Sequence, residues 1–486
     1  MEAVDVITDL EGLLYRAQVA YGGMVKQLCQ RRSTPMHWLS CSECISKEES
    51  QMAEESQDRG SAPTPDRFRA SCYDLYMYLG RNSADQQCRL VISLEGRLDE
   101  ERMARAVRLT LEEEPVLGCR FVLRRWRPYW ERREDLDSID TLLLVDDDRI
   151  EERLWSFITQ PMDPCKDLQV QIGIFRSRCD KLCIKLNHVA ADGEGAKRYA
   201  YLLASVYRAL GENHPCSPPI VSGEARNGAT RFGFETLSRL SALGASISPW
   251  PTWGFPWSAT DLTERAHSVR LIQPATFECI RGYAASEGAS INEVLLATFY
   301  RALFTLINPP AGVVLPTQVP VDLRRHLTTD EAYLIRNCFG AMYPSISRVP
   351  GESFGATLAR VRQVTSRLKS KNAGLGESLF LSLFLAFGFS TARMFSNGLR
   401  KRLVASGNSH PFLSNLGVID EVRLDFGKPR VSDAFIPSLV DFPPHFMLAV
   451  STFRNTMTLS IGFCHPQTHR PIVDRFLDLF IAELPL

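Results

Sequence analysis

The sequence has no charge of either sign to spare: 56 Lys and Arg balance 56 Asp and Glu over 486 residues. Phosphate backbones are gripped by a cationic excess, so this balance excludes nucleic acid as the main partner, although basic residues bunch locally at 120–133 and 393–402. Long apolar runs are missing too. The uncharged Phe- and Leu-rich stretch at residues 378–392 falls short of the ~20 that span a bilayer. Its Leu379, Phe380, Leu383, Phe384, Phe387 and Phe389 suit a buried core helix, and a lipid-accepting wall or a shallow membrane contact is the other reading. Residues 1–14 carry acidic side chains rather than a basic flank and an apolar run, so no secretory signal is expected. The 13 cysteines are odd in number and mostly scattered singly, which fits reduced thiols and a cytoplasmic protein.

One cysteine cluster breaks the scatter. Cys29, His37, Cys41 and Cys44 lie close together, and Cys41-x-x-Cys44 has metal-ligand spacing. The first two sit in no recognised spacing, so no metal is expected, zinc at this cluster being the reading set aside.

What the sequence does contain is concentrated in residues 182–193. Leu182, Ile184 and Leu186 alternate with Cys183, Lys185 and Asn187, the period of a half-buried strand. The strand delivers His188, three small or apolar residues, Asp192 and Gly193, and a helical pattern follows. An imidazole at a strand end, with a carboxylate four residues on and a glycine at the turn, makes a candidate general base on rigid structure. The plainer alternative is a core histidine beside an Asp N-cap.

Around this motif the chain divides into four parts. Residues 1–65 read as an N-terminal extension and a polar, proline-punctuated linker. Residues 66–215 form a first lobe of strands and helices. It has a strand at 88–94, a helix from Asp99 that Pro115 ends, a strand at 121–130, and a hairpin formed by 168–175 and the His188 strand. Residues 216–265 read as a crossover whose Trp250, Trp253 and Trp257 pack on a neighbour. Residues 266–486 form a second lobe, with Ser290 and Glu293 boxing the start of an apolar helix and strands at 313–319, 341–346, 446–451 and 458–463.

Five pieces in this order resemble the superfamily of coenzyme-A-dependent acyltransferases, which includes nonribosomal peptide condensation domains, plant BAHD acyltransferases and wax ester synthases. They are Leu94-Glu95-Gly96-Arg97-Leu98-Asp99 with its helix and Glu114-Pro115; His188 to Gly193; Ile291-Asn292-Glu293-Val294-Leu295; Pro320-Val321-Asp322-Leu323-Arg324 followed by Asn337-Cys338-Phe339-Gly340; and Ser414-Asn415-Leu416-Gly417. Asp425-Phe426-Gly427-Lys428-Pro429 partly matches the BAHD C-terminal motif but lacks its Trp-Gly. Condensation domains usually carry a second histidine where this chain has Asn187, which leans away from peptide-bond formation. The chain shows neither a phosphopantetheine site nor adenylation motifs, so it looks like a stand-alone enzyme.

The resemblance implies an α/β fold of two chloramphenicol-acetyltransferase-like lobes, each a mixed, mostly antiparallel sheet flanked by helices, with a tunnel between them. It implies an acyltransferase with His188 as general base, Asp192 turned aside toward Arg324 in an orienting role, and Gly193 permitting a backbone turn. Ser414 and Asn415 are either oxyanion donors or turn formers. No cofactor is expected to be tightly bound. The donor is an acyl-CoA or an acyl carrier protein, and the acceptor is a small alcohol or amine. A condensation-like protein acting on carrier-bound substrates, and a non-catalytic binding relative, are the competing readings.

Overall fold

A computed structural model describes residues 66–212, 249–258, 264–327, 334–370, 374, 381, 384–385 and 387–485. Cys29, His37, Cys41 and Cys44, the linker residues up to 65, most of the crossover, and Leu379, Phe380 and Leu383 lie outside them.

Two apolar cores define two lobes. The first lobe is built on a five-stranded sheet in the order Val431–Phe435, Gln87–Leu94, Asp180–Asn187, Val170–Arg176, Leu142–Asp146. The last pair is parallel and the rest antiparallel. Asp99 caps the helix Glu100–Glu113 by accepting from Arg102 N at 2.8 Å, and Pro115 follows its end. Met103, Val107 and Leu111 share its buried face, which packs against the helix Gly193–Gly211.

The second lobe carries a four-stranded sheet in the order Phe412–Val418, Met447–Phe453, Thr456–Cys464, Arg265–Ile272. Again one pair, the first, is parallel. Ser290 and Glu293 form the capping box expected of them, opening the helix Ile291–Ile307. That helix packs on the helix Pro466–Ala482 through Phe299 and Phe476, whose ring centroids are 5.6 Å apart. Among the described residues no single helix is long and apolar enough to cross a membrane.

Three expectations need correction. Residues 121–130 are not one strand but a hairpin, Cys119–Val122 and Tyr129–Arg132, because the apolar alternation stops at Arg124-Arg125 and Pro128 cannot continue a ladder. Residues 313–319 divide into Val314–Pro316 and Val319–Asp322, and residues 341–346 into the ends of Phe339–Met342 and Ser345–Ser347, the inner and outer pieces pairing in separate two-stranded sheets. Of the crossover tryptophans, Trp253 donates to Pro316 O at 3.0 Å and Trp257 to His445 O at 2.9 Å, while Trp250 is exposed.

The lobes are interlocked in two ways. Strand Val431–Phe435, far along the chain, completes the first lobe's sheet. Beside it, Arg89 and Asp85 form a fully buried ion pair; Arg89 Nη1 donates to Ser438 O at 3.2 Å, and Asp85 N to Val440 O at 3.0 Å. The 436–440 segment is thereby pinned between the sheets. It also leans on Gly462, where a Cβ would collide with the carbonyl of Leu439. Gly462→Ala is therefore expected to cost about 1–3 kcal/mol as overpacking. A chemical-denaturation midpoint checks this, and an unchanged midpoint would mean that the segment yields freely.

Candidate active site

The Asp180–Asn187 strand ends where Asn187 turns its side chain inward. Its Oδ1 accepts from Val189 N at 3.0 Å, and its carbonyl accepts from Ala190 N at 2.9 Å. Asn187 is thus a turn former. His188 follows, with its backbone N–H donating to Gln86 O at 2.8 Å. Gln86 itself holds a left-handed φ of 51°, a strained conformation for a side-chain-bearing residue, at the edge of the site.

The imidazole of His188 is half-buried and its orientation is set by a residue that was quoted above only as part of a loop motif. Asn337 Oδ1 lies 3.1 Å from His188 Nδ1. Its amide nitrogen is committed elsewhere, donating to His188 O at 2.8 Å and Val189 O at 3.1 Å. The oxygen must therefore face the ring, which places the proton on Nδ1 and leaves Nε2 as the basic nitrogen. Burial lowers the imidazole pKa below its ordinary value, and the nearby Asp192 carboxylate and the Asn337 bond offset part of that shift. At neutral pH the ring is a free base.

Asp192 does two jobs at once. As N-cap of Gly193–Gly211, its Oδ1 accepts from Gly195 N at 2.8 Å. It also receives both arms of the Arg324 guanidinium, at 2.8 and 3.0 Å, and Cys338 N at 2.8 Å. Burial alone would raise its pKa, but Arg324 and the two backbone donors hold it below the usual carboxylate value. Arg324 is held in turn by Arg336 O at 2.6 Å. The histidine turn, the Pro320–Arg324 strand end and the Asn337 loop are thus tied together by one buried ion pair.

The φ of Gly193 is not positive, and a Cβ there would come within 2.5 Å of Leu416 Cδ2, so the helix start lies close against the 414–417 turn. Asn415 is occupied by that turn: its Oδ1 accepts from Gly417 N at 2.9 Å and its amide donates to Asn292 Oδ1. Ser414 is buried in the Phe412–Val418 ladder, and its hydroxyl makes no hydrogen bond among the described residues.

These residues surround one cavity of about 320 Å³ between the lobes, lined by His188, Asp192, Gly193, Arg324, Ser414 and Asn415. Much of its remaining wall is apolar, including Val321, Phe339, Phe412, Leu416, Ile436 and Met447. Two thiols also reach it. Burial pushes Cys338 up to about 12 and Cys88 well above the ordinary range, so neither is a thiolate nucleophile at neutral pH. Among the described residues no group of three or more His, Cys, Asp or Glu could hold a metal ion.

No protein-family model matches the chain, and no curated protein matches it. Solved structures do. The first condensation domain of the CDA synthetase aligns over 86% of this chain and 97% of its own, with a TM-score of 0.65 at 17% identity. The TRI3 trichothecene 15-O-acetyltransferase from Fusarium sporotrichioides aligns over 86% of this chain and 96% of its own, at TM-score 0.63 and 12% identity. The epimerization domain from the third module of tyrocidine synthetase B covers 88% of this chain and 97% of its own, at 0.63 and 12%. The protein has the two-lobed fold these structures share, that of condensation domains and CoA-dependent acyltransferase-like proteins.

Proposed function

We propose that the protein is an acyltransferase that moves an acyl group from a thioester to a hydroxyl or amine, with His188 as general base. The observation that carries this is an imidazole whose Nδ1 is committed to Asn337 while the ring borders an interlobe cavity. Nε2 removes the acceptor's proton as its oxygen or nitrogen attacks the thioester carbonyl. The C–S bond then breaks, and the departing thiolate takes that proton from the imidazolium. The products are an ester or amide and a free thiol. Ser414 is the group best placed by its burial and free hydroxyl to donate to the tetrahedral oxyanion. Asp192 does no proton transfer; its lone pairs are spent on Arg324, Cys338 and Gly195. Coenzyme A and a carrier-borne pantetheine both present the same thioester, and the likeness to condensation domains supports the carrier form alongside the CoA form.

Acyl-CoAs of graded chain length, incubated with alcohols and amines while free thiol is followed, test the reading. Acceptor-dependent thiol release supports it, and its absence with CoA and carrier donors alike overturns it. The acid limb of the rate profile should lie below the ordinary imidazole pKa of about 6.5, because burial lowers the pKa of His188. Asn337→Asp places a carboxylate on Nδ1, favours the imidazolium and should move the acid limb to higher pH. An unshifted limb would mean that another group is the base.

A further inference from the structure

We propose that the protein carries a docking surface for an anionic lipid bilayer, formed where the Cys119–Arg132 hairpin meets the helix Phe389–Ser406. This goes beyond the acyl-transfer reading and does not depend on it.

The helix Phe389–Ser406 is 18 residues long, yet only Phe389 and Ala392 are buried in it. Amphipathic helices in soluble folds owe most of their stability to a packed face, so a helix this long with so little buried is short of a partner. Its start is nevertheless well built. Gly388 offers no side-chain cap, and the hairpin tip supplies the missing acceptors: Trp126 O accepts from Phe389 N at 3.1 Å, and Arg125 O from Ser390 N at 3.1 Å and Ser390 Oγ at 3.0 Å. The ring of Trp126 lies against Gly388, where a Cβ would come within 3.0 Å of it. Hairpin and helix are therefore one surface.

Large apolar side chains stand out from it. Trp126 is 73% exposed, Phe387 68%, Met394 60% and Leu123 38%. Single exposed apolar residues are ordinary, but four gathered at one junction mark an interaction site. Along the hairpin tip and the helix every charged side chain is basic. Arg124, Arg125 and Arg127 are exposed on the tip, and Arg393, Lys401 and Arg402 on the helix. No Asp or Glu occurs in residues 121–130 or 387–407, in a chain whose total charge is zero. Arg125, Arg127 and Arg393 form no ion pair among the described residues.

Protruding Trp, Phe, Met and Leu ringed by Arg and Lys match the headgroup region of an acidic membrane, where apolar tips enter the acyl boundary and cations meet phosphate and carboxylate. An acidic protein would satisfy the same charges, but a protein partner is normally met by a concave or flat apolar face, not by separate projecting tips.

Sedimentation of the full chain with vesicles tests this. The protein is expected to pellet with phosphatidylcholine vesicles containing phosphatidylserine, not with pure phosphatidylcholine, and to be released at about 1 M salt, where screening is nearly complete. The Arg124→Gln/Arg125→Gln/Arg127→Gln variant should bind at least about tenfold more weakly, and Phe387→Ser/Met394→Gln should lose binding at unchanged charge. Circular dichroism melting confirms that each variant is folded, and thiol release with soluble substrates should be unchanged in both. Failure of the wild-type protein to pellet with acidic vesicles, equal pelleting with neutral ones, or full binding by the folded arginine variant overturns the proposal. Retention on an immobilised acidic carrier protein without vesicle binding would overturn it in favour of a protein partner.

Discussion

Replacing His188 with alanine is expected to reduce acceptor-dependent thiol release by about 10²- to 10⁴-fold, the range general base catalysis supplies. The side chain makes one hydrogen bond, to Asn337, and is half-buried, so its loss should leave the fold standing. The Asn337 amide still holds the His188 and Val189 carbonyls in the variant. Activity and stability should therefore separate cleanly. The measurement is turnover at saturating donor, set beside a denaturation curve for the same preparation. Turnover within a factor of a few of wild type in a folded variant would sink the assignment of this imidazole as the base. Added imidazole, small enough to enter the vacated cavity, should restore part of the rate.

The second large effect is on the buried ion pair. Asp192→Asn leaves the Arg324 guanidinium, only 4% exposed, without its carboxylate; Arg324→Met leaves the carboxylate without its guanidinium. Each change is expected to cost about 3–5 kcal/mol, because an unpaired buried charge keeps its desolvation penalty and loses its compensation. The double variant should cost less than the two singles added together, since removing both charges removes the penalty. Denaturant midpoints for the three variants form the cycle. Strict additivity would mean that the two groups do not act as a pair. The pH dependence has a definite sign: Asp192 is held below its unfolded pKa, so its contribution is present above that value and fades as the solution is acidified through the folded one.

Much of this site is legible along the chain because its parts are local. A strand period, a histidine, an Asp at a helix start and a glycine all fall within residues 182–193, and each has its own physical signature. The pairing of Asp192 with Arg324 was reachable only through resemblance, since 132 residues separate them. Asn337 was out of reach altogether. Its contact with the imidazole spans 149 residues, and nothing in Asn337-Cys338-Phe339-Gly340 says that an amide will be turned toward a ring. The hairpin within residues 121–130 is harder to read, because its aromatic ends suit a strand and only three arginines and a proline mark the break. Asn187 and Asn415 look alike on paper as polar candidates beside the chemistry, and both proved to be spending their side chains on local turns.

The strand Val431–Phe435 has a consequence for how the molecule can be taken apart. A polypeptide truncated after residue 212 would present Gln87–Leu94 as a bare sheet margin, with unsatisfied backbone groups inviting self-association. Neither moiety is a freestanding unit. Produced together from separate genes, however, the two pieces should dock by strand complementation and rebuild the interlobe cavity.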